Sequence, residues 1–212
     1  RLSRPVSHKD FISLYNNLSS LAAQHPERVV ALSTAIANLL GVLGHVRDAL
    51  LFWELTARAS VVSGKLDGTF DALRRMIDLD SGEATRDIVL EIADASAKDP
   101  DRFGSSLDQR PRVLAAASRI FQHYGDMEQV ARLHLQAAAL YSRGGASQAA
   151  YRSIVDAEDI ARETGSLRLL AEVYGVAVST ACEEGDPEWA VGAAERALAV
   201  WESIGEPPPA AL

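Results

Sequence analysis

Residues 125–144 read GDMEQVARLHLQAAALYSRG, and the next three segments of twenty residues read GASQAAYRSIVDAEDIARET (145–164), GSLRLLAEVYGVAVSTACEE (165–184) and GDPEWAVGAAERALAVWESI (185–204). Each segment begins with a glycine, and Gly205 closes the series. The aligned segments superimpose at offsets 5, 9, 12 and 16 from the glycine, where all residues but His134 are apolar or aromatic. Because these offsets advance by four, three and four residues, they form one stripe along an α-helix. The stretch therefore predicts four helices of equal length.

Small residues and helix caps give these segments a physical interpretation. The column at offset 12 contains alanine in every segment: Ala137, Ala157, Ala177 and Ala197. Alanine lets a neighbouring helix approach closely, while the larger side chains beside it fill the remaining space. A glycine after each helix permits the left-handed conformation that ends it, and three glycines precede residues suited to an N-cap: Asp126, Ser166 and Asp186. We expect a solenoid of stacked helical hairpins.

The composition of the 212 residues agrees with an all-α protein of about ten helices. Hydrophobic residues make up 48%, charged residues 24% and aromatic residues 6%, and the apolar share depends on alanine. The net charge of −8 argues against a direct nucleic-acid partner. Val29 to Val46 is the longest uncharged run, but it is amphipathic, so no membrane span is predicted. A single cysteine, Cys182, favours a reducing compartment, which we interpret as the cytoplasm.

The chain divides into five predicted regions. Residues 1–7 are a flexible start, 8–97 are helical repeats that become irregular after 64, 98–110 are a loop, 111–205 are regular repeats, and 206–212 are a proline-rich tail. The first residue is Arg1, and we expect the chain to be a piece of a longer protein. Four helices are predicted between the segments that start at Gly44 and Gly145, whereas alternating hairpins require an odd number. Either one segment is not a regular repeat helix, or the repeat breaks near residues 80–110.

Three segments resemble the second helix of tetratricopeptide repeats, and the residues that carry the resemblance are Gly44, Ala49, Trp53 and Thr56, then Gly145, Ala150, Ile154 and Ala157, then Gly185, Ala190, Ala194 and Ala197. The forty-residue spacing of the last two is similar to long-helix variants of the family. The resemblance covers residues 26–64 and 111–205. It implies a right-handed superhelical solenoid of antiparallel helical hairpins, in which the first helix of each hairpin lines a concave groove.

The resemblance also implies where a partner would bind. The first helices would be 26–43, 127–143 and 167–184, and the candidate partner-binding residues on them are Asn38, Arg132, Leu135, Arg143, Glu172 and Ser179. Asn38 matches an asparagine with which some chaperone-tail-binding members hold a peptide carboxylate, but Thr34 stands where those members carry a lysine. In the opposite repeat phase, the helices that end near Gly125 and Gly165 would line the groove instead.

Catalytic and metal-binding patterns are missing from the sequence. The five histidines show no metal-ligand spacing, and no phosphate-binding glycine loop or nucleophile motif is present. His134 is predicted to be a semi-buried histidine, and Cys182 an inert thiol. We therefore expect no enzyme activity, no cofactor and no metal. The sequence favours a non-catalytic protein-interaction module that binds a peptide or helix and that can form homo-oligomers.

Two other functions remain open from the sequence. The chain resembles the sensor or oligomerisation arms of larger bacterial transcriptional or ATP-dependent regulators, which are also helical repeats. It could also be a helical enzyme with an unrecognised site, although no residue pattern identifies one. An upstream ATPase or helix-turn-helix segment in the full-length protein would favour a regulator, whereas further repeats would favour a scaffold.

Overall fold

A computed structural model describes residues 7–104 and 109–205. These residues form ten α-helices and one short 3-10 helix, and the described ranges contain no β-strand. The predictions of an all-α fold and of about ten helices are thus confirmed. The helices are α1 (His8–Leu21), α2 (Pro26–Val42), α3 (Val46–Val62), α4 (Leu66–Leu79), α5 (Glu83–Lys98), the 3-10 helix η1 (Pro100–Phe103), α6 (Gln109–His123), α7 (Met127–Arg143), α8 (Ser147–Thr164), α9 (Leu167–Glu184) and α10 (Pro187–Ile204).

The predicted helix ends are confirmed at the level of single atoms. The repeated glycines adopt the left-handed conformation, with φ of 76° at Gly125 and 73° at Gly185. The three predicted N-cap side chains accept hydrogen bonds from backbone N–H groups of the next turn, at 3.2 Å for Asp126, 3.4 Å for Ser166 and 3.0 Å for Asp186. At Gly125, Gly165 and Gly185 the glycine therefore follows one helix and the next residue caps another.

The chain folds as two compact units, residues 1–104 and 105–212. The predicted loop of residues 98–110 contains the helix η1 as well as the start of α6 at Gln109, and its residues 105–108 lie outside the described ranges. The predicted tail 206–212 and residues 1–6 of the predicted flexible start also lie outside them. The boundary after Gly104 separates α4 and α5 from α6 and α7.

In the first unit, α3 is the central helix. It contacts α1, α2, α4, α5 and η1, and it buries Phe52, Leu55 and Ala57. Ser33 of α2 and Thr56 of α3 form a buried hydrogen bond of 2.8 Å between their hydroxyl groups. The sequence predicts that α3 is the second helix of a hairpin, and in the structure α3 packs most extensively on α2 and α4. The adjacent helix α2 packs on α3 through one face and exposes the other.

In the second unit, α7 pairs with α8 and α9 pairs with α10 as antiparallel hairpins, and α9 also contacts both α7 and α8. The whole alanine column is buried at these crossings: Ala137, Ala157, Ala177 and Ala197. Larger buried side chains such as Ile154 and Tyr174 fill the space beside it. The contact between α7 and α9 places one face of each helix side by side.

Candidate functional site

A groove runs between α7 and α9 in the second unit. Leu135 and Ala139 of α7 and Gly175 and Val176 of α9 provide its apolar lining, and its volume is about 490 Å³. The alanine and the glycine leave room between the two helices because they have little or no side chain. Three polar residues also line this groove: Arg132, Gln136 and Glu172. The surface thus combines an apolar strip with charged and amide groups, as sites for peptides often do.

The groove continues along the same two helices. A second depression of about 240 Å³ shares Ala139, Gly175 and Val176 with the first. It adds Ser179, Thr180 and Glu183 of α9, so the combined surface extends toward the C-terminal ends of both helices. An elongated ligand fits this shape better than a compact one, because the two depressions follow the helix direction.

Charged groups along the groove are paired with one another. Arg132 Nε lies 3.4 Å from Glu172 Oε2 across the groove, and Arg132 Nη2 lies 3.4 Å from Glu128 Oε2 on the same helix. Farther along, Ser142 Oγ donates a hydrogen bond of 2.7 Å to Glu183 Oε2. These partly exposed contacts each contribute little to stability, and two of them, Arg132 with Glu172 and Ser142 with Glu183, connect α7 to α9.

Four of the six predicted site residues lie together on this surface. Arg132, Leu135 and Glu172 line the first depression, and Ser179 lines the second. Arg143 is exposed near the end of α7, one turn beyond Ala139, where its Nε donates to the Ala139 carbonyl at 3.1 Å. Asn38 lies in the other unit, on the exposed face of α2.

Further lining residues were not among the predicted site residues. They are Gln136, Val176, Thr180 and Glu183, whereas Ala139 and Gly175 lie on the helix faces that the predicted repeat phase places inside. Helical spacing could have identified most of them, since Gln136 follows the predicted Arg132 by four residues and Val176 follows the predicted Glu172 by four. Equivalent positions of the aligned segments identify only the centre of a helix face, so the predicted face is narrower than the observed one.

A smaller cavity of about 120 Å³ lies among α8, α9 and α10. Its polar centre is Glu158, whose Oε1 accepts a hydrogen bond of 2.8 Å from the Tyr174 hydroxyl and also lies 2.5 Å from Arg162 Nη2. Arg196 lies over the Tyr174 ring, 5.9 Å from the guanidinium carbon to the ring centroid. These contacts connect three helices of the two hairpins, and the carboxylate is held by its neighbours.

Individual reactive side chains are in ordinary surroundings. His134 is partly buried, with Nδ1 3.8 Å from Asp156 Oδ2, and desolvation lowers its pKa although Asp156 acts in the opposite direction. The Cys182 thiol is free and exposed. Within residues 7–104 and 109–205, no three potential metal-ligating side chains form a group. In the same ranges, no helix is both long and apolar enough to span a bilayer.

Comparisons with known proteins give likenesses of fold. No family model matches the chain, and no curated protein is significantly similar to it. The crystal structure of BtubC (BKLC) from P. vanneervenii is 17% identical, with a TM-score of 0.48, over 95% of this chain and 92% of that one. A second crystal structure, described as "Podosopora anserina putative kinesin light chain nearly identical TPR-like repeats", is 14% identical, with a TM-score of 0.44, over 91% of this chain and 97% of that one. A point-mutant form of the same protein gives the same values. The helical-repeat fold of this chain rests on the hairpins described above.

Proposed function

We propose that the chain is a non-catalytic protein-interaction module whose second unit binds an extended peptide or an amphipathic helix along the groove between α7 and α9. The observation that carries the proposal is the apolar strip of Ala139, Gly175 and Val176, which is partly exposed between two helices in contact and has the buried Leu135 at its base. Apolar surface of this kind binds alternate side chains of an elongated ligand.

The charges around the groove suggest the chemistry of the ligand. Arg132 and Glu172 already neutralise each other, so a ligand gains little from contacting either of them. Arg143 continues the same stripe of α7, is exposed, and bonds to a backbone carbonyl. A peptide with small apolar side chains over Ala139 and Gly175 and an acidic residue near Arg143 is therefore the best match.

The proposal includes no catalytic step, no cofactor and no direct contact with nucleic acid. The net charge of −8 repels phosphate groups. A reducing compartment such as the cytoplasm suits the free Cys182.

Selection from a random peptide library with the full chain tests the groove directly. Ala139→Trp fills the apolar strip, whereas the matched change Ala199→Trp places the same ring on the exposed side of α10. We expect the first variant to weaken the selected peptide by about tenfold or more, equivalent to roughly 1.4 kcal/mol, and the second to bind as the parent does. Failure to select any peptide, or equal binding by both variants, contradicts the proposal.

Charge reversal tests the expected acidic residue of the ligand. Arg143 and Arg152 are both exposed, but Arg152 lies on α8. We expect Arg143→Glu to weaken the selected peptide and to reduce the salt dependence of its binding, because one favourable charge contact is lost. A loss confined to Arg152→Glu would instead assign binding to the face formed by α8.

A further inference from the structure

The small cavity of the second unit is separate from the proposed peptide groove. It lies where α8 and α10 both pack on α9, and it shares no lining residue with the groove between α7 and α9. Its lining includes the buried apolar side chains of Ile154, Ala177 and Ala193 together with the buried ring of Tyr174. A volume of about 120 Å³ is too small for a nucleotide or a drug-sized molecule, which occupy pockets of roughly 300 Å³ or more. A ligand of this cavity would therefore be a small molecule.

The two ends of this cavity differ in chemistry. At one end the rings of Tyr151 and Trp189 meet edge to face, with 5.7 Å between their centroids. Glu158 of α8 and Arg196 of α10 each follow one of these aromatic residues by seven positions, which is two helical turns. Both charged side chains adjoin Tyr174, since Glu158 Oε1 accepts from its hydroxyl and Arg196 lies over its ring. The cavity thus has an aromatic end and a charged end.

Each of the two charged groups has binding capacity that its present contacts do not use. Tyr174 and Arg162 both contact Glu158 through the same oxygen, Oε1. Within residues 7–104 and 109–205, Glu158 Oε2 has no hydrogen-bond partner and the Arg196 guanidinium forms no ion pair. The Glu158 side chain is only 16% exposed, so solvent screens its charge weakly. The charged end therefore offers one oxygen to an ammonium group and one guanidinium to a carboxylate.

We propose that this cavity binds a free α-amino acid with an aliphatic side chain, such as leucine or valine. The ammonium group binds Glu158 Oε2, and the carboxylate binds the Arg196 guanidinium. The aliphatic side chain lies on the buried apolar lining, in the direction of Tyr151 and Trp189. A zwitterion matches the charged end better than a simple ion does, because Arg196 repels a cation and Glu158 repels an anion. The bound amino acid connects α8 to α10, and its binding is independent of the peptide groove.

Calorimetric titration of the full chain with leucine and two analogues tests the need for both charges. Isocaproate is leucine without the ammonium group, and isoamylamine is leucine without the carboxylate. We expect leucine to bind with a dissociation constant in the micromolar to millimolar range, as for a ligand of few atoms. Each analogue should bind about tenfold more weakly, or weaker still. Equal binding of leucine and either analogue, or no binding of any aliphatic amino acid, overturns the proposal.

Substitutions of the two charged residues test each contact separately. Arg196→Gln should weaken leucine by about tenfold or more without weakening isoamylamine, which has no carboxylate to lose. Glu158→Gln keeps an acceptor for the Tyr174 hydroxyl, and it should weaken leucine without weakening isocaproate. The matched control Arg168→Gln, at an exposed residue of α9 outside the cavity lining, should bind leucine as the parent does. Unchanged leucine affinity in Arg196→Gln, or an equal loss in Arg168→Gln, refutes the assignment to this cavity.

Discussion

Arg132 and Glu172 form an ion pair across the groove, with 3.4 Å between Nε and Oε2, although forty residues separate them along the chain. Forty residues are two of the twenty-residue segments, so the pair joins equivalent faces of α7 and α9. We expect Arg132→Glu to lower the free energy of unfolding by about 0.2 to 1 kcal/mol, because the pair is partly exposed. It also places a carboxylate four residues from Glu128.

The double variant Arg132→Glu with Glu172→Arg should recover most of that loss, since it restores an opposite-charge pair across the groove. Urea denaturation of the four proteins of the cycle measures the coupling between the two sites. Additive effects of the two changes would show that the contact does not stabilise the packing of α7 on α9.

Overpacking tests the alanine column. Ala157 and Ala197 are buried at helix crossings, whereas Ala199 is exposed on α10. We expect Ala157→Leu and Ala197→Leu each to destabilise the protein by about 1 to 3 kcal/mol, because the added atoms force the helices apart. Ala199→Leu should change stability little. If thermal melting does not distinguish the three variants, the column does not determine the helix spacing.

Substitution by alanine should change stability in opposite directions at Gly185 and Gly192, which are seven residues apart. Gly185 ends α9 with φ of 73°, where a Cβ atom is strained, so Gly185→Ala should destabilise by about 1 kcal/mol. Gly192 lies inside α10, and a Cβ atom added there meets no atom within 4 Å. Gly192→Ala should therefore stabilise by up to about 1 kcal/mol through helix propensity. Denaturant titration of both variants measures the two changes in the free energy of unfolding, and changes of the same sign would contradict the expectation.

His134 should make stability depend on pH. Desolvation lowers its pKa in the folded chain, so the unfolded chain binds more protons between that pKa and the unfolded value of about 6.5. The corresponding stability is fully present above pH 6.5 or so and is lost as the pH falls through the folded pKa. His134→Gln should remove this part of the dependence. An unchanged slope of unfolding free energy against pH in the variant would assign it to other groups.

The regular part of the fold could be predicted because its signals are local. A glycine that ends a helix and a following Asp126 or Asp186 that caps the next one act within a few residues, and these interactions repeat at a fixed period. The burial of Ala157 follows from the same period. Four of the six predicted site residues lie on one groove because helical spacing determines which residues share a face.

Other features depend on which elements become neighbours. Pro100 belongs to the predicted loop of residues 98–110, but it begins the helix η1, where no backbone N–H is needed. The exposure of Leu39 could not be predicted either, because apolar residues occur on both sides of α2 and their pattern does not reveal which side is buried. The partner of Arg132 could not be identified without knowing that α9 contacts α7.

Because the helical segments of the second unit are equal in length, the side on which each helix lies depends on its place in the order of segments. Loss or duplication of forty residues would remove or add two successive helices, the equivalent of one hairpin, and would keep each remaining helix on its own side. A change of twenty residues would remove or add a single helix. Every later helix would then lie on the side of its neighbour, and the groove would be formed by residues suited to the opposite face. Variation in the length of this unit is therefore expected in whole hairpins.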